Sequence, residues 1–264
     1  MPTSSTLPAW WAALVDRAAQ APAVPRQALC IAGRVSPVGS IEAAVGERLL
    51  AAGMPIAPGA DAWELQGEAN AALERIAHWL ANHGLAGQWR DELLAVTDAD
   101  GTRVAAVERA AVRPLGIATF AVHLVGGDAQ GGVWVQQRAL DKATDPGLWD
   151  TLVGGLVAAH ESAASALERE TWEEAGLRLE ELTGLKQADR ISIHRPVRQG
   201  YMVEHIDVFE ALVSVAQTPL NQDGEVERFE RLVPAVLAER LAEGRFTLEA
   251  ALILATSLRR RGLL

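Results

Sequence analysis

The sequence predicts an α/β fold in which a layered sandwich of helices around a mixed sheet, residues 113–264, follows a smaller α+β domain, residues 1–112. Two observations predict it. From Gly116 onward strand-like and helical segments alternate, which is typical of a sheet covered by helices. Before that point the chain is rich in Ala and mainly helical in period, and no repeat or low-complexity linker separates the two parts.

The N-terminal domain is predicted to contain a helix and a hairpin. In GEANAALERIAHWLANHG the apolar residues fall on one helical face, and Gly84 can end the helix. That face consists of Ala72, Leu73, Ile76, Ala77 and Leu80. The following stretch, 89–111, has two apolar runs around an Asp-Gly pair at Asp100 and Gly101, which indicates a hairpin.

The second domain opens with two strands joined by a Gly-rich turn through Asp128 and Gln130. A helix, a further strand and two closing helices follow, the first closing helix with Pro234 in its first turn. The predicted elements are strands at 117–127 and 131–139, a helix at 162–175, a strand at 201–213, and helices at 234–244 and 247–262.

Composition limits the classes of function. Apolar residues make up 49% of the 264, enough for a core, and the net charge of −10 argues against binding nucleic acid or an anionic membrane. The one cysteine, Cys30, excludes an internal disulfide and fits a reducing cytosol. The start lacks a signal-peptide pattern and no run reaches the ~18 apolar residues of a membrane span. We therefore expect a soluble cytoplasmic protein, with a homodimer left open.

An acidic cluster lies on the predicted helix at 162–175. Glu170, Glu173 and Glu174 have the spacing i, i+3, i+4, so their carboxylates project from one side. Each like-charge pair costs an isolated helix about 0.2–0.5 kcal/mol, whereas Mg²⁺ prefers such oxygen ligands at close quarters. For this run alone, a solvated acidic helix face is the alternative interpretation.

Neighbouring residues favour the metal site. Gly154 and Gly155 allow close backbone approach, and Arg169 lies four residues before Glu173, where it can hold a carboxylate. Glu161 lies just before the helix, where an anion is favoured and can also reach Arg169. Gly176 is placed to end the helix.

Taken together, the stretch 155–177 resembles the Nudix box. Gly155, Glu161, the Arg169-Glu170 pair, the Glu173-Glu174 pair and the Gly176-Leu177 pair match it in order and spacing, with Thr171 where an aliphatic residue is usual. This resemblance implies an α/β/α sandwich that hydrolyses a nucleoside or other organic diphosphate with Mg²⁺, or with Mn²⁺ as the alternative ion.

The resemblance also implies roles. Glu170, Glu173 and Glu174 would bind the metal together with the Gly155 carbonyl, and Arg169 and Glu161 would orient them while metal-activated water attacks phosphorus. The general base lies either in the box or on a later loop. In NQDGEVERFE the candidates are Asp223, Glu225 and Glu227, and we favour Glu225, as a fourth metal-site carboxylate, ahead of Glu227.

Segments outside the box are similar to one subfamily, the plant and yeast Nudix enzymes and the Nudix half of fungal thiamine pyrophosphokinases. They include VWVQQRALDKATDPGLWDTLVGG, PLNQDGEVERFERL and, in the extra N-terminal domain of that subfamily, GQWRDELLAV. The similarity implies hydrolysis of damaged thiamine diphosphate to the monophosphate and phosphate. The S-Q-P-W motif of NADH diphosphatases is absent.

Several residues are candidates for substrate binding, each with a structural alternative. Arg138 and Lys142 could hold phosphates or form surface ion pairs. Trp149 and Trp134 could stack on a heterocycle, although core packing is favoured. His123, in an apolar strand, is more often a core histidine than a substrate ligand.

Three other functions compete with thiamine diphosphate hydrolysis. A nucleoside diphosphate derivative is the main alternative substrate. Isopentenyl diphosphate isomerases have a similar approach to the box, but their chemistry needs a cysteine near the first strand–loop junction, and WDTLVGG has none. A non-catalytic Nudix-fold binding module usually lacks one of the box glutamates, all of which are present here.

Overall fold

The computed structural model describes residues 8–264. Residues 1–7 lie outside the described part, and with them the first residues of the predicted N-terminal domain and of the segment predicted not to be a signal peptide. The N-terminal part contains a four-stranded sheet in the order β2-β1-β4-β3, in which only β1 and β4 are parallel. Its elements are α1 (Ala9–Ala18), β1 (Arg26–Ile31), β2 (Pro37–Glu42), α2 (Ala43–Ala51), β3 (Ile56–Pro58), β4 (Ala62–Leu65) and α3 (Ala69–Asn82).

The predicted helix and hairpin are confirmed. All five residues of the predicted apolar face of α3 are buried in a core that α3 shares with this sheet and with the hairpin. Gly84 has a φ of 68° just after the helix, a left-handed conformation that suits glycine. The hairpin consists of β5 (Leu93–Thr97) and β6 (Arg103–Glu108), and its turn contains Gly101 with a φ of 78°.

A seven-stranded mixed sheet organises the rest of the chain. Its main order is β11-β12-β7-β8-β13, with β10 paired to β7 and β9 paired to β8, and only the β12–β7 pair is parallel. The strands are β7 (Ala118–Gly127), β8 (Val133–Arg138), β9 (Trp149–Asp150), β10 (Val153–Leu156), β11 (Thr183–Val197), β12 (Gly200–Leu212) and β13 (Val226–Leu232).

Helices cover both faces of this sheet, which confirms the predicted sandwich. Side chains alternate along β7, so Ala121 and Val125 pack towards α6 (Leu248–Arg260), whereas Val122 and Leu124 pack towards α4 (Ala163–Ala175). The third helix, α5 (Pro234–Ala242), has its buried leucines in the α6 core.

Helix α1 packs with the sandwich although it precedes the four-stranded sheet in the chain. Leu14 and Ala18 belong to the core beneath α6, and Ala19 forms a bridge with His194 of β11. The domain boundary at residue 112 stays a prediction. Helix α1 lies before that boundary in the sequence but packs in the core of the second part. None of the helices described between residues 8 and 264 combines the length and the hydropathy that a membrane span requires.

Candidate active site

Local interactions fix both ends of α4, at the predicted bounds. Ser162 is its N-cap: the Ser162 hydroxyl accepts a hydrogen bond from the N–H of Ser165 at 3.1 Å, and the Ser165 hydroxyl accepts one from the N–H of Ser162 at 2.9 Å. At the other end Gly176 has a φ of 62°, and its N–H donates to the carbonyl of Trp172 at 2.8 Å. These caps fix the bounds of α4, the helix that carries the acidic side chains.

Arg169 contacts three carboxylates at once. Its Nε and Nη2 donate to Glu161 at 2.7 and 2.9 Å, and its Nη1 donates to Glu170 at 2.8 Å and to Glu173 at 2.9 Å. The hydrogen bonds from Arg169 lower the pKa of Glu161. The contacts that the spacing predicts are therefore present, and Arg169 holds Glu170 and Glu173 side by side.

Glu174 lies outside the Arg169 network and is only 3% exposed. Its Oε2 accepts hydrogen bonds from the Gly154 N–H at 2.9 Å and from Nε2 of Gln136 at 2.9 Å. Burial, followed by the like charge of Glu170, raises the pKa of Glu174 to about 8. Gln136, on β8, is not among the predicted site residues. Its only signal in the sequence is a polar residue within an apolar strand.

The two glycines of β10 leave room for side chains that lie directly against the strand. A Cβ on Gly155 would lie 2.0 Å from the carboxyl carbon of Glu170, and one on Gly154 would lie 2.5 Å from Cε1 of His123. Any other residue at 155 would displace the Glu170 carboxylate. The backbone of β10 thus lies directly against the acidic side of α4.

Glu225 faces the same region from the loop before β13. It pairs with Lys142, and its negative charge contributes to the raised pKa of Glu170, for which burial is the main cause. Glu227 is exposed on β13 and has no polar side-chain contact within residues 8–264. Asp223 has a structural contact, since its carboxylate accepts the N–H of Glu225 at 2.8 Å. Of the three loop candidates, Glu225 is the one whose charge contributes to the raised pKa of an α4 carboxylate, that of Glu170.

The predicted phosphate-binding cations both form ion pairs in the structure. Arg138 lies 3.4 Å from a carboxylate oxygen of Asp150 and donates to the carbonyl of Thr144 at 3.0 Å. Lys142 pairs with Glu225. Both therefore border the candidate site, with part of their charge already neutralised.

Trp149 packs in the core, as the structural alternative predicted. It is 3% exposed, with the guanidinium groups of Arg228 and Arg240 over its ring at 5.3 and 5.2 Å. Trp134 is partly buried against the α4 core.

His123 is also buried. Its Nδ1 lies 2.8 Å from the Thr151 hydroxyl and 3.7 Å from Asp150. Burial lowers the pKa of His123, so the ring is neutral at physiological pH.

Within residues 8–264 no three His, Cys, Asp or Glu side chains already surround a single point as metal ligands would. The reason is that Arg169 occupies oxygens of Glu170 and Glu173, and Glu174 is held by Gly154 and Gln136. The donor set nevertheless fits a hard divalent cation. Burial and the charges of neighbouring carboxylates raise the pKa of Glu170 and Glu174. A cation bound beside these two carboxylates would stabilise their ionised forms.

Residues 114–252, more than half of the chain, match the model of the NUDIX domain. The chain is 31% identical over 179 residues to Nudix hydrolase 24, chloroplastic, of Arabidopsis thaliana, and 30% identical over 179 residues to Nudix hydrolase 20, chloroplastic, of the same plant. These alignments cover 63% and 62% of this chain but only 47% and 44% of the plant proteins.

An isomerase also matches. The chain is 32% identical over 157 residues to the isopentenyl-diphosphate Delta-isomerase of Streptomyces avermitilis, which covers 59% of this chain and 78% of that enzyme. The chain thus spans less than half of the plant relatives and most of the bacterial isomerase. Similarity over the fold alone does not separate hydrolysis from isomerisation, so the site residues have to do so.

Proposed function

Since the chain belongs to the NUDIX family, we propose that it is a metal-dependent hydrolase that cleaves the phosphoric anhydride bond of a small organic diphosphate. The observation that carries the proposal is the acidic side of α4. Glu170, Glu173 and Glu174 lie together beside the Gly155 backbone, in a position that costs the protein electrostatic free energy. The identity with two proteins named as Nudix hydrolases supports the same reaction class.

The three glutamates and the Gly155 carbonyl are the proposed metal ligands, with Mg²⁺ as the first choice of ion and Mn²⁺ as the second. A bound divalent cation would neutralise charge on the diphosphate and would lower the pKa of the attacking water, so that the water can lose a proton and attack phosphorus near neutral pH. Arg169 is proposed to position Glu170 and Glu173. The Gly154 N–H and Gln136 fix the orientation of the Glu174 carboxylate.

Glu225 is the proposed general base and fourth carboxylate of the site. Burial would raise the pKa of Glu225, but contact with the Lys142 ammonium outweighs it, so the carboxylate is ionised, as a metal ligand has to be, while the lowered pKa makes it a weaker base. Glu227, the second choice, has no such connection to the α4 carboxylates. Phosphate binding is proposed for Lys142 and Arg138, which lie beside Glu225 and Asp150.

The proposed substrate is damaged thiamine diphosphate, cleaved to the monophosphate and phosphate. It is supported by the resemblance of segments on both sides of the box to the thiamine-type subfamily. The alignment with the plant Nudix hydrolases over 179 residues supports the reaction class only. A nucleoside diphosphate derivative is the alternative within the same reaction class.

Isomerisation of isopentenyl diphosphate is favoured by the Streptomyces avermitilis match but opposed by the site. The chain has one cysteine, and the structure places Cys30 in β1 of the four-stranded sheet rather than near β10. The position next to the Glu174 carboxylate is instead occupied by Gly154. The catalytic cysteine that the isomerase chemistry requires is therefore missing from this part of the site.

One comparative assay tests the proposal. The purified chain with Mg²⁺ is given oxythiamine diphosphate, thiamine diphosphate, ADP-ribose and isopentenyl diphosphate, and the products are resolved by chromatography, with Glu174→Gln as the inactive control. We expect the fastest release of phosphate from oxythiamine diphosphate. Faster cleavage of ADP-ribose would discard the thiamine substrate but keep the hydrolase. Conversion of isopentenyl diphosphate, or no reaction at all, would overturn the hydrolase itself.

A further inference from the structure

The segment 157–161, which joins β10 to α4, is held by the β5–β6 hairpin of the N-terminal part. Leu94 of β5 forms an antiparallel bridge with Ala158, and the N–H of Ala159 donates to the carbonyl of Leu93 at 2.7 Å. The hairpin thus pairs with this segment as a neighbouring strand would. Because the segment lies outside the regular helices and strands, its position depends on such contacts.

A side chain of the hairpin contacts the same segment. Arg103, the first residue of β6, donates from Nη1 to the carbonyl of Ala159. Both polar groups of the Ala159 backbone are therefore bound by the hairpin, the N–H by Leu93 and the carbonyl by Arg103. Since a charged donor forms a stronger hydrogen bond than a neutral one, Arg103 is the side chain best placed to hold the segment.

From this segment the contacts continue to the acidic side of α4. The N–H of Ala158 donates to Oε2 of Glu161 at 3.1 Å, and the same carboxylate accepts Nε and Nη2 of Arg169 at 2.7 and 2.9 Å. The Glu161 side chain is only 9% exposed, so its orientation is set by these partners. Arg169 in turn donates to Glu170 and Glu173. Hydrogen bonds and the backbone of the segment therefore connect the hairpin to two of the three proposed metal-binding carboxylates.

Leu156, which follows Gly155, joins the same stretch to the N-terminal core. It packs against the core that contains Leu94 and Val96 of the hairpin, and also against the core beneath α6. Its carbonyl accepts a hydrogen bond from Nη2 of Arg169 at 3.3 Å. The proposed Gly155 ligand is thus adjacent in the chain to a residue that the N-terminal part holds.

We propose that the β5–β6 hairpin is a positioning element of the active site, with Arg103 as its positioning residue. Arg103 holds Ala159, the backbone of the segment 157–161 places Glu161, and Glu161 orients Arg169. Partners one step removed from the ligands of a metal fix the geometry of those ligands, and their loss costs about 10- to 100-fold in metal affinity or activity. The inference rests on the metal site of the proposed function, and it gives the N-terminal part a role in metal binding.

The test uses substitutions in the full chain. Arg103→Ala removes the guanidinium, and Arg103→Lys keeps a positively charged donor. Arg75→Ala is the matched control, because Arg75 is another exposed arginine of the N-terminal part whose guanidinium donates to a backbone carbonyl, that of Gly53 at 3.3 Å. Glu161→Ala, alone and combined with Arg103→Ala, tests whether Arg103 acts through Glu161.

The first readout is binding of Mn²⁺ to the chain without substrate, followed by the electron paramagnetic resonance signal of the free ion. We expect Arg103→Ala to weaken Mn²⁺ binding about tenfold, Arg103→Lys to recover part of that loss, and Arg75→Ala to match the wild type. Arg103→Ala and Arg75→Ala should have similar melting temperatures. Wild-type Mn²⁺ affinity in Arg103→Ala, or an equal loss in Arg75→Ala, would overturn the proposal.

The double variant separates positioning from a general loosening of the fold. If Arg103 acts through Glu161, adding Arg103→Ala to Glu161→Ala should change Mn²⁺ binding by less than about twofold, because the connection is already broken. A further loss of about tenfold in the double variant would mean that the two residues act independently, and would also overturn the proposal.

The second readout is hydrolysis of the diphosphate. In Arg103→Ala kcat should fall about tenfold while KM stays within about twofold, because Arg103 shapes the metal site and does not bind substrate. If the wild type binds Mn²⁺ but cleaves no diphosphate, while Arg103→Ala weakens Mn²⁺ binding, the proposed function fails and the Arg103 inference holds. If the wild type is active and Arg103→Ala changes neither Mn²⁺ binding nor kcat, the inference fails alone.

Discussion

Glu174→Gln removes the buried ionisable group of α4 and keeps its shape. The carboxylate accepts two hydrogen bonds through one oxygen, from the Gly154 N–H and from Gln136, and an amide oxygen can accept both. The structural difference between the two side chains is therefore small. What changes is that the variant has no proton to lose in the folded state.

The effect on stability follows from the pKa of Glu174, about 8 in the folded protein against the ordinary 4.5 in the unfolded chain. The folded state therefore binds the proton more tightly, and the stability that this proton contributes is fully present below about pH 4.5 and is lost as the pH rises through about 8. Each pH unit in that window corresponds to about 1.4 kcal/mol, so the free energy of unfolding should fall by about 5 kcal/mol across it.

Urea unfolding followed by fluorescence of the eight tryptophans, in the presence of a chelator, measures this effect. Wild type and variant should be about equally stable near pH 4.5, and near pH 8 the variant should be more stable by about 5 kcal/mol. Because Glu174 and Glu170 repel each other, the difference between the two proteins also includes the loss of that repulsion. With Mg²⁺ the variant should show no hydrolysis. Parallel stability curves, or an active variant, would refute the assignment of Glu174 as a buried acid used by the site.

Three further predictions concern the same site. Gly155→Ala should lower kcat about 100-fold with little change in melting temperature, because the new Cβ, 2.0 Å from the Glu170 carboxyl carbon, displaces only the end of that flexible side chain. Arg169→Ala should lower the free energy of unfolding in urea by about 1–3 kcal/mol, since Glu161, Glu170 and Glu173 lose their shared partner, whose side chain is 34% exposed. A chelator should abolish turnover and Mg²⁺ or Mn²⁺ should restore it; undiminished turnover in excess chelator would contradict the metal assignment.

The parts of the site that the sequence predicted are those determined by local spacing. The caps of α4 and the contacts of Arg169 with Glu161 and Glu173 all lie within one helix and the turn before it. Helical geometry fixes these distances as soon as the segment is helical. The sequence also predicted a close approach to the backbone at Gly155. The group that makes this approach, the Glu170 carboxylate, appears only in the structure.

Long-range contacts could not be predicted in this way. Gln136 and Glu174 are 38 residues apart, and Lys142 and Glu225 are 83 apart, so their meeting depends on strand register. The sequence placed Lys142 and Glu225 in separate roles, whereas the structure joins them in one ion pair.

The N-terminal part shows a similar limit. Its helix α3 and hairpin have strong periodic or turn signals, and both were predicted. The four-stranded sheet has strands of only three to six residues, in which alternation is too short to recognise, and its central pair β1–β4 is parallel and brings together distant segments. The packing of α1 on α6 likewise depends on the complete fold.

The central claim is that the acidic side chains of α4 hold a divalent cation where a diphosphate is cleaved. Its most direct measurement is an anomalous difference map from crystals of the chain soaked with Mn²⁺ and an uncleaved diphosphate analogue. The account predicts a strong peak among the carboxylates of Glu170, Glu173 and Glu174 and the Gly155 carbonyl, in contact with phosphate oxygens. A map without density there, with Arg169 still bound to Glu170 and Glu173, would contradict it.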